Sequence, residues 1–535
     1  MKNVKNKGFT LIELLAVIVI LAIIALIATP IVINMIGNSK ESAKDRSAEL
    51  YLQAVEQAVA RKNLSGKFSP TTCTIQSDGN LKCDDTLLEI DVDNTKPSSG
   101  VITFEKGKIA GYNFTVVDKK YTLLAPAPEF CFETKDVEGG IEITKYDCGK
   151  GAETEVLDVL IPNTINGKNV VSIGKDAFFN YELTSIKIPD SVASIGERAF
   201  ANNELTSVEI PSSLKVIGKT NFASNKLTSV KIPEGVTTIG YDAFGNNELT
   251  SIKIPNSVTT IESLAFMYNK LTSVEIPSSI TTIKDSVFSN NKLTSVKIPD
   301  SVTSIGGGAF AKNELTSIKI PSSVTSIGQT AFSDNKLKTL EIPSSVTFIG
   351  GGAFNNNQLS DGEAFIYKRN SDGSIDNTEL VSYAGKKRND IVIPNNIKII
   401  GNTAFFGNQL TSVEIPDGVT AIGASAFQVN QLTSVEIPDS VTTIGNFAFA
   451  TNALTSVKIS SGLKSISNYV FMNNQLTSVE IPSSVTSIGN MAFFMNQLKS
   501  VTIKGKTSTS DFASFGTNVF GWASGYSNSN ITFES

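Results

Sequence analysis

A single carboxylate inside a long apolar run is the feature of this sequence most able to do chemistry. Between Phe9 and Asn38 the one ionisable side chain is Glu13, and the pair Lys7-Gly8 stands directly before the run. A carboxylate within a membrane-spanning helix costs roughly 2.5–3.5 kcal/mol on insertion scales, so it needs a partner. The sequence therefore holds a charge in a place where apolar side chains would be more stable.

The elements that position Glu13 follow from the same stretch. Residues 9–33 are apolar over a length that crosses a bilayer as a helix, and the lysines before them keep the N-terminus in the cytoplasm. The helical pattern resumes after Pro30 and runs to about Arg61, with Val55 on its apolar face. Strands are predicted next, over residues 101–105, 109–117 and 121–124.

Residues 7–15 resemble the N-terminus of type IV prepilins and of their pseudopilin relatives. The resemblance implies that a prepilin peptidase cuts after Gly8 and that a methylase then modifies the new N-terminal Phe9. It also implies that Glu13 neutralises the N-terminal amine of a neighbouring pilin subunit during filament assembly. The implied fold of this part is α+β, with a long N-terminal helix and a small antiparallel sheet. An ordinary signal-anchor helix is the alternative.

The composition excludes several classes of function. The chain has 535 residues and a net charge of −5, which gives no electrostatic basis for binding nucleic acid. It contains no histidine, the commonest general base and the commonest metal ligand. Serine, threonine and acidic residues recur at a fixed period, so no single one stands out as a nucleophile. We therefore expect neither an enzyme nor a bound metal or cofactor.

Four cysteines, all within residues 73–148, predict two disulfides. Clustered, even-numbered cysteines in an exported chain favour disulfides over a zinc site. Cys131 and Cys148 are symmetric about a Gly-Gly turn at 139–140, which makes them a non-hydrogen-bonded strand pair with Cα atoms about 4.5 Å apart. Cys73 and Cys83 flank a second turn. The predicted pairs are 73–83 and 131–148, and free buried thiols are the alternative.

From about Ile173 onward the sequence repeats every 22 residues, which indicates a solenoid. The unit reads Leu-Thr-Ser-Val-x-Ile-Pro-x-Ser-Val-Thr-x-Ile-Gly-x-x-Ala-Phe-x-x-Asn. Fourteen units carry the Phe and an Ile five residues before it, and thirteen carry the Asn three residues after it. We expect these residues to stack as ladders, with each Asn amide bonded to the backbone of a neighbouring turn. The Phe residues are Phe178, Phe200, Phe222, Phe244, Phe266, Phe288, Phe310, Phe332, Phe354, Phe405, Phe427, Phe449, Phe471 and Phe493.

This unit resembles the BspA-like class of leucine-rich repeats of bacterial surface proteins, over roughly residues 129–535. The resemblance implies an α/β-type leucine-rich-repeat solenoid in which the Leu-x-x-Val-x-Ile piece forms a parallel β face. The Ile-Gly-x-x-Ala-Phe piece then forms the returning arc. Residues 360–390 interrupt the phase and echo residues 129–149, so the same hairpin is expected to start the solenoid and to restart it.

These patterns predict a division of the chain into nine parts. They are a leader 1–8, a transmembrane or filament-core helix 9–33, a pilin-like globular part 34–124, a linker 125–128, a hairpin and first turn 129–172, repeats 173–359, an insert 360–390, repeats 391–500 and a C-terminal cap 501–535.

The residue between Val and Ile of each repeat strand should face solvent, because side chains alternate along a strand. These residues are six lysines and six glutamates: Lys187, Glu209, Lys231, Lys253, Glu275, Lys297, Lys319, Glu341, Glu414, Glu436, Lys458 and Glu480. Such a row stabilises the register between rungs. Alternatively, it is part of a polar surface that contacts a host or matrix protein or a glycan.

Together the patterns predict a minor type IV pilin-like subunit. It would be made as a single-pass precursor in the cytoplasmic membrane and then displayed on the cell surface or pilus, with an extracellular solenoid that serves adhesion. A solenoid of roughly 400 residues suits sparse placement better than a tight helical array. Two alternatives stay open: a pseudopilin-like component of a secretion or DNA-uptake system, and a membrane-anchored repeat protein with no role in a filament.

Overall fold

The computed structural model describes residues 51–59 in part, most of residues 72–123, and residues 127–149, 151, 157–521 and 531–534. The predicted helix 9–33, with Gly8, Phe9 and Glu13, lies outside the described residues. The chain divides into two compact units, residues 1–127 and 128–535. None of the helical residues that the structure describes belongs to a helix long and apolar enough to cross a membrane.

Six antiparallel strands form one sheet in the first unit, in the order β3-β2-β1-β4-β5-β6. The described residues between 51 and 59 are helical, and Val55 and Val59 share a core with Ile102 of the sheet. The three predicted strands are present as β4 to β6, each within two residues of its predicted ends. The strands are β1 Thr72–Ile75, β2 Leu81–Cys83, β3 Thr86–Leu88, β4 Gly100–Glu105, β5 Lys108–Val116 and β6 Lys119–Leu123.

The second unit is a solenoid of parallel strands, most of them two to four residues long. Short 3-10 turns lie at Glu129–Cys131 and Thr509–Asp511. The strands are β7 Phe132–Val137, β8 Gly140–Tyr146, β9 Asp158–Leu160, β10 Thr164–Ile165, β11 Lys168–Ile173, β12 Ser185–Lys187, β13 Ser194–Ile195, β14 Val208–Glu209, β15 Val216–Ile217, β16 Thr238–Ile239, β17 Thr260–Ile261, β18 Thr282–Ile283, β19 Ser304–Ile305, β20 Ser326–Ile327, β21 Phe348–Ile349, β22 Phe365–Arg369, β23 Ile375–Tyr383, β24 Ile391–Val392, β25 Ile399–Ile400, β26 Val413–Glu414, β27 Ala421–Ile422, β28 Ser434–Glu436, β29 Thr443–Ile444, β30 Ser456–Lys458, β31 Ser465–Ile466, β32 Ser478–Ile481, β33 Ser487–Ile488, β34 Ser500–Lys504, β35 Ser514–Phe515 and β36 Ile531–Glu534.

Two strand ladders run along the solenoid, whereas the resemblance implied one. The first ladder contains the Val-x-Ile segments and includes β12, β14, β28 and β30. The second contains each repeat Ile with the residue before it, as in β18 to β21. The following Gly extends the second ladder, since the Gly306 N–H donates to the Ile283 carbonyl at 2.7 Å. The predicted arc therefore begins with a β-strand and only then turns.

The predicted Phe spine is confirmed. Within each block of repeats, consecutive Phe rings stack nearly parallel, with centroids 4.9 to 5.7 Å apart. Phe520 of the predicted cap continues the stack from Phe493 at 5.8 Å. Each rung buries its Leu, Ile, Val, Ala and Phe side chains against the rungs on either side.

The predicted Asn ladder is also confirmed. The Nδ2 of Asn313 donates to the carbonyls of Phe288 at 2.9 Å and Phe310 at 3.1 Å. Its Oδ1 accepts from the Leu293 N–H at 2.9 Å. Phe288 and Leu293 belong to the preceding turn, so Asn313 joins two turns and is the partner of the buried Leu293 N–H. Asn408 departs from this pattern, because its Nδ2 has no hydrogen-bond partner among the described residues.

The hairpin β7–β8 starts the solenoid, and β22–β23 repeats it at the interruption. β8 pairs with β11 in parallel, and β23 pairs with β25 in the same way. Tyr146 stacks on Phe178 with centroids 5.1 Å apart, and Tyr383 stacks on Phe405 at 5.3 Å. A tyrosine ring therefore begins the stack ahead of the first Phe of each block of repeats.

Both predicted disulfides are present, but the predicted register of the first hairpin is wrong. The Cα atoms of Cys131 and Cys148 are 5.2 Å apart, and Cys73 and Cys83 are joined as a directly opposed strand pair. In the hairpin, Val137 pairs with Gly140, and the register shifts again next to Glu133. In this register only glycine fits at position 140, because a Cβ there would lie 2.1 Å from the Asn169 carbonyl oxygen.

Candidate functional site

The candidate site is the row of twelve residues from Lys187 to Glu480 on the first ladder, called here the charge row. In each strand the flanking Val and Ile point into the core, so the residue between them points outward. All twelve side chains are exposed. Neighbouring rungs face each other in register, as in the strand pairs Lys187 with Glu209 and Glu436 with Lys458.

Only the C-terminal end of the charge row is ion-paired among the described residues. Glu436 pairs with Lys458, and Glu480 pairs with Lys504 at 2.8 Å. The hydrogen bond to Glu436 raises the pKa of Lys458. In the described part of the chain, the eight residues from Lys187 to Glu341 form no ion pair. Ion pairs therefore support a role of the charge row in stabilising the register between rungs only at its C-terminal end.

A second row of charges, which our sequence reasoning missed, does form ion pairs within the chain. These residues directly follow the buried Asn of each turn. Lys226 pairs with Glu204, Lys270 with Glu248 at 3.0 Å, and Lys336 with Glu314 at 3.2 Å. A Glu or Lys at the position after the Asn recurs at the repeat period and could have indicated this row. The contrast shows that adjacent rungs bring opposite charges within reach, yet nine of the twelve charge-row residues form no ion pair in the described part of the chain.

A shallow groove lies near the middle of the unpaired part of the charge row. It has a volume of about 470 Å³ and is lined by strand residues of neighbouring rungs, including Lys253, Glu275 and Lys297. Pro255 and Pro277 line its edge. Its walls combine charged and polar side chains with apolar ones such as Ile254 and Ile276. Among the described residues, no group of three or more Cys, Asp and Glu side chains is placed to hold a metal ion.

Asp242 is a titratable residue on the arc that the sequence did not single out. Burial raises its pKa from 3.8 to about 6. The folded chain therefore binds the carboxyl proton of Asp242 more tightly than the unfolded chain does. The contribution of this proton to the stability of the fold is complete below pH 3.8 and is lost as the pH rises through 6. The charged form of Asp242 is therefore a cost to the folded state at neutral pH.

Asp242→Asn is expected to raise the stability of the solenoid at neutral pH. The amide keeps the shape of the side chain and tolerates the positive φ of 53° at this position. The gain should shrink as the pH falls from about 7 to about 4, where the carboxyl of the parent chain is also neutral. Urea denaturation of both chains at several pH values measures this difference. A gain that stayed constant across that range would contradict the assignment.

Two known families match the sequence. Residues 3–29 match the prokaryotic N-terminal methylation motif. Residues 159–272, 259–364, 379–499 and 420–521 match the BspA type leucine rich repeat region, and together they span about two thirds of the chain. No curated protein matches the chain.

Three solved structures illustrate what the chain is similar to. A leucine-rich repeat protein from Bacteroides ovatus is 25% identical, with a TM-score of 0.43, over 76% of this chain and 98% of that one. A leucine rich cell surface protein from Faecalibacterium prausnitzii is 24% identical, with a TM-score of 0.40, over 76% and 94%. The leucine rich repeat protein of T. pallidum is 29% identical, with a TM-score of 0.30, over 35% and 88%.

Proposed function

The chain belongs to the BspA-type leucine-rich repeat family, and from its methylation motif we propose that it is a type IV pilin-like subunit that displays this solenoid at the cell surface. The observation that carries the proposal is the presence of both features in one chain, the motif at residues 3–29 and the repeats beyond residue 159. Two disulfides support an exported location, because disulfides persist in oxidising compartments.

Each part of the chain has a distinct task in this proposal. A prepilin peptidase cleaves after Gly8, and the new N-terminus at Phe9 is methylated and enters a filament with other pilin subunits. Glu13 then neutralises the amine of a neighbouring subunit within the apolar filament core, where an unpaired charge is costly. The solenoid binds a partner through its exposed polar face and carries out no catalysis. Its bulk suits a minor subunit at sparse positions.

Glu13→Val tests the assembly step. The variant is expected to enter the membrane normally, because valine is better tolerated there than a carboxylate. It should be lost from sheared filaments, because removing one partner of a buried ion pair costs roughly 3–5 kcal/mol. Quantitative immunoblots of membrane and filament fractions measure both quantities.

Thr10→Val is the matched control for this experiment. It makes the same apolar run more hydrophobic but leaves the carboxylate in place, so filament incorporation should be retained. Normal incorporation of Glu13→Val would contradict the role given to Glu13. Loss of both variants from filaments would show that the run does not tolerate added hydrophobicity.

A further inference from the structure

We propose that the unpaired part of the charge row binds the same surface of a second copy of this chain, in antiparallel orientation. Eight consecutive rungs carry, in order, the charges + − + + − + + −, from Lys187 to Glu341. All eight side chains are exposed, and none is ion-paired within the described part of the chain. The surface therefore offers a fixed pattern of charges to a partner.

This pattern is complementary to itself when one copy is turned end to end. If the first rung of one copy faces the eighth rung of the other, six of the eight facing positions carry opposite charges. The favourable pairs are Lys187 with Glu341, Glu209 with Lys319 and Lys253 with Glu275, each occurring twice by symmetry. The same patch is used on both copies, as in the isologous contacts of twofold dimers.

Other arrangements of two copies are less favourable. A parallel pair in register places every charge opposite its own kind. If an antiparallel pair is shifted so that the second rung of one copy faces the eighth rung of the other, none of the seven facing positions carries opposite charges. A shift by one rung in the other direction leaves opposite charges at four of the seven facing positions. Like charges brought face to face oppose association and so select against wrong registers. A parallel pair shifted by one rung has opposite charges at five of its seven facing positions, but that contact is heterologous and does not close into a dimer. Among closed twofold pairs, the charge order therefore favours the antiparallel register with six opposite pairs.

The twofold axis of this pair passes between the rungs of Lys253 and Glu275. Both residues line the groove at the centre of the row. In an antiparallel pair the two grooves face each other, and the first rungs of the two copies lie at opposite ends. Such a contact suits chains carried by two different filaments or two different cells, and it would hold them together.

Two lysines on each copy, Lys231 and Lys297, oppose this contact, which supplies a sharp test. Lys231 faces Lys297 of the second copy, whereas Lys253 faces Glu275. Within its own chain each of Lys231 and Lys253 has one Lys and one Glu on the neighbouring rungs of the row. Replacing either lysine by glutamate therefore changes the charge and the environment within the chain in the same way. Lys253 also lines the groove and Lys231 does not, but along the charge row the two changes differ only in what they face on the second copy.

The experiment compares Lys231→Glu and Lys253→Glu in the full chain in detergent micelles, by sedimentation equilibrium at low ionic strength. Lys253→Glu should weaken self-association about tenfold, and Lys231→Glu should strengthen it about tenfold, since each change alters two exposed charge pairs. High salt should abolish the difference. Equal effects of the two variants, or association that neither changes, would overturn the proposal. Cleavage after Gly8 is not needed for this assay, so failure of the proposed processing would not affect it.

Cross-linking determines the orientation independently. All four native cysteines are in disulfides, so Lys187→Cys and Glu341→Cys each add a single free thiol. A short bis-maleimide should join the two variants when they are mixed and should not join either one to itself. Self-linking of Lys187→Cys would indicate a parallel contact and would overturn the proposal. Lys336→Cys, on the ion-paired row, is the control. Cross-linking yields for the mixed variants no higher than the yield for this control would also overturn the proposal. Binding of a host protein or glycan without any self-association would assign the surface to a different partner.

Discussion

Phe310→Ala is expected to destabilise the solenoid by about 3–5 kcal/mol, the usual cost of removing a buried aromatic ring. Phe310 is completely buried in the middle of the spine. Its ring stacks between those of Phe288 at 5.7 Å and Phe332 at 5.4 Å. The rungs on both sides are fixed by hydrogen bonds, so they cannot collapse to fill the space that the ring leaves.

Phe348→Ala is the matched control for this prediction. Phe348 lies in the same solenoid on the second ladder, but its side chain is 58% exposed, so its removal should cost less than about 1 kcal/mol. Urea denaturation of residues 128–535, followed by circular dichroism, measures both variants. Since contacts in a solenoid link only neighbouring turns, Phe310→Ala should also broaden the transition as the two halves uncouple. Equal midpoints for the two variants would show that the ring is not part of a packed spine.

Asn313→Leu is expected to destabilise the solenoid as well, although leucine has a similar volume. The Asn amide satisfies the carbonyls of Phe288 and Phe310 and the N–H of Leu293, and the residue is only 6% exposed. Leucine leaves the Leu293 N–H without a partner in the interior. The carbonyls of Phe288 and Phe310 each lose one donor but keep another, the amides of Asn291 at 3.2 Å and Asn335 at 2.9 Å. A buried group that loses its only partner costs about 1–3 kcal/mol, so a loss of this size is expected.

Asn256→Ala serves as the control, because Asn256 is exposed and belongs to the same set of repeats. Its replacement should change the free energy of unfolding by less than about 0.5 kcal/mol. Hydrogen exchange adds a local measurement, since the Leu293 N–H should lose its protection in Asn313→Leu and keep it in Asn256→Ala. Retained protection of that amide would contradict the bridging role of the Asn.

The solenoid could be predicted because its core positions recur at one fixed spacing. A Phe such as Phe310 and an Asn such as Asn313 are large or polar enough that only stacking in register can bury them without penalty. The second ladder was missed because a strand of two residues, such as Ser304–Ile305, has no alternation to read. The hairpin register was missed because it depends on the close approach of Gly140 to the Asn169 carbonyl, which is a contact between distant segments.

The candidate site was predicted in part. Exposure of the charge row follows from strand alternation alone. Which charges pair within the chain does not follow, because it depends on rotamers and on the spacing of neighbouring rungs. The second charged row shows this, since Lys270 and Glu248 pair while Lys253 and Glu275 do not. The left-handed backbone conformation of Phe447, where φ is 60°, could not be predicted either, because bulky residues rarely adopt it.

The central claim is that this chain is processed as a pilin and displayed with its solenoid outside the cell. The most direct test is the intact mass and N-terminal analysis of the protein sheared from the surface of cells that make it. We predict a chain that begins at Phe9 and carries one methyl group on its N-terminal amine. A chain that retains residues 1–8 and is found only in the membrane fraction would contradict the claim and would leave a membrane-anchored repeat protein.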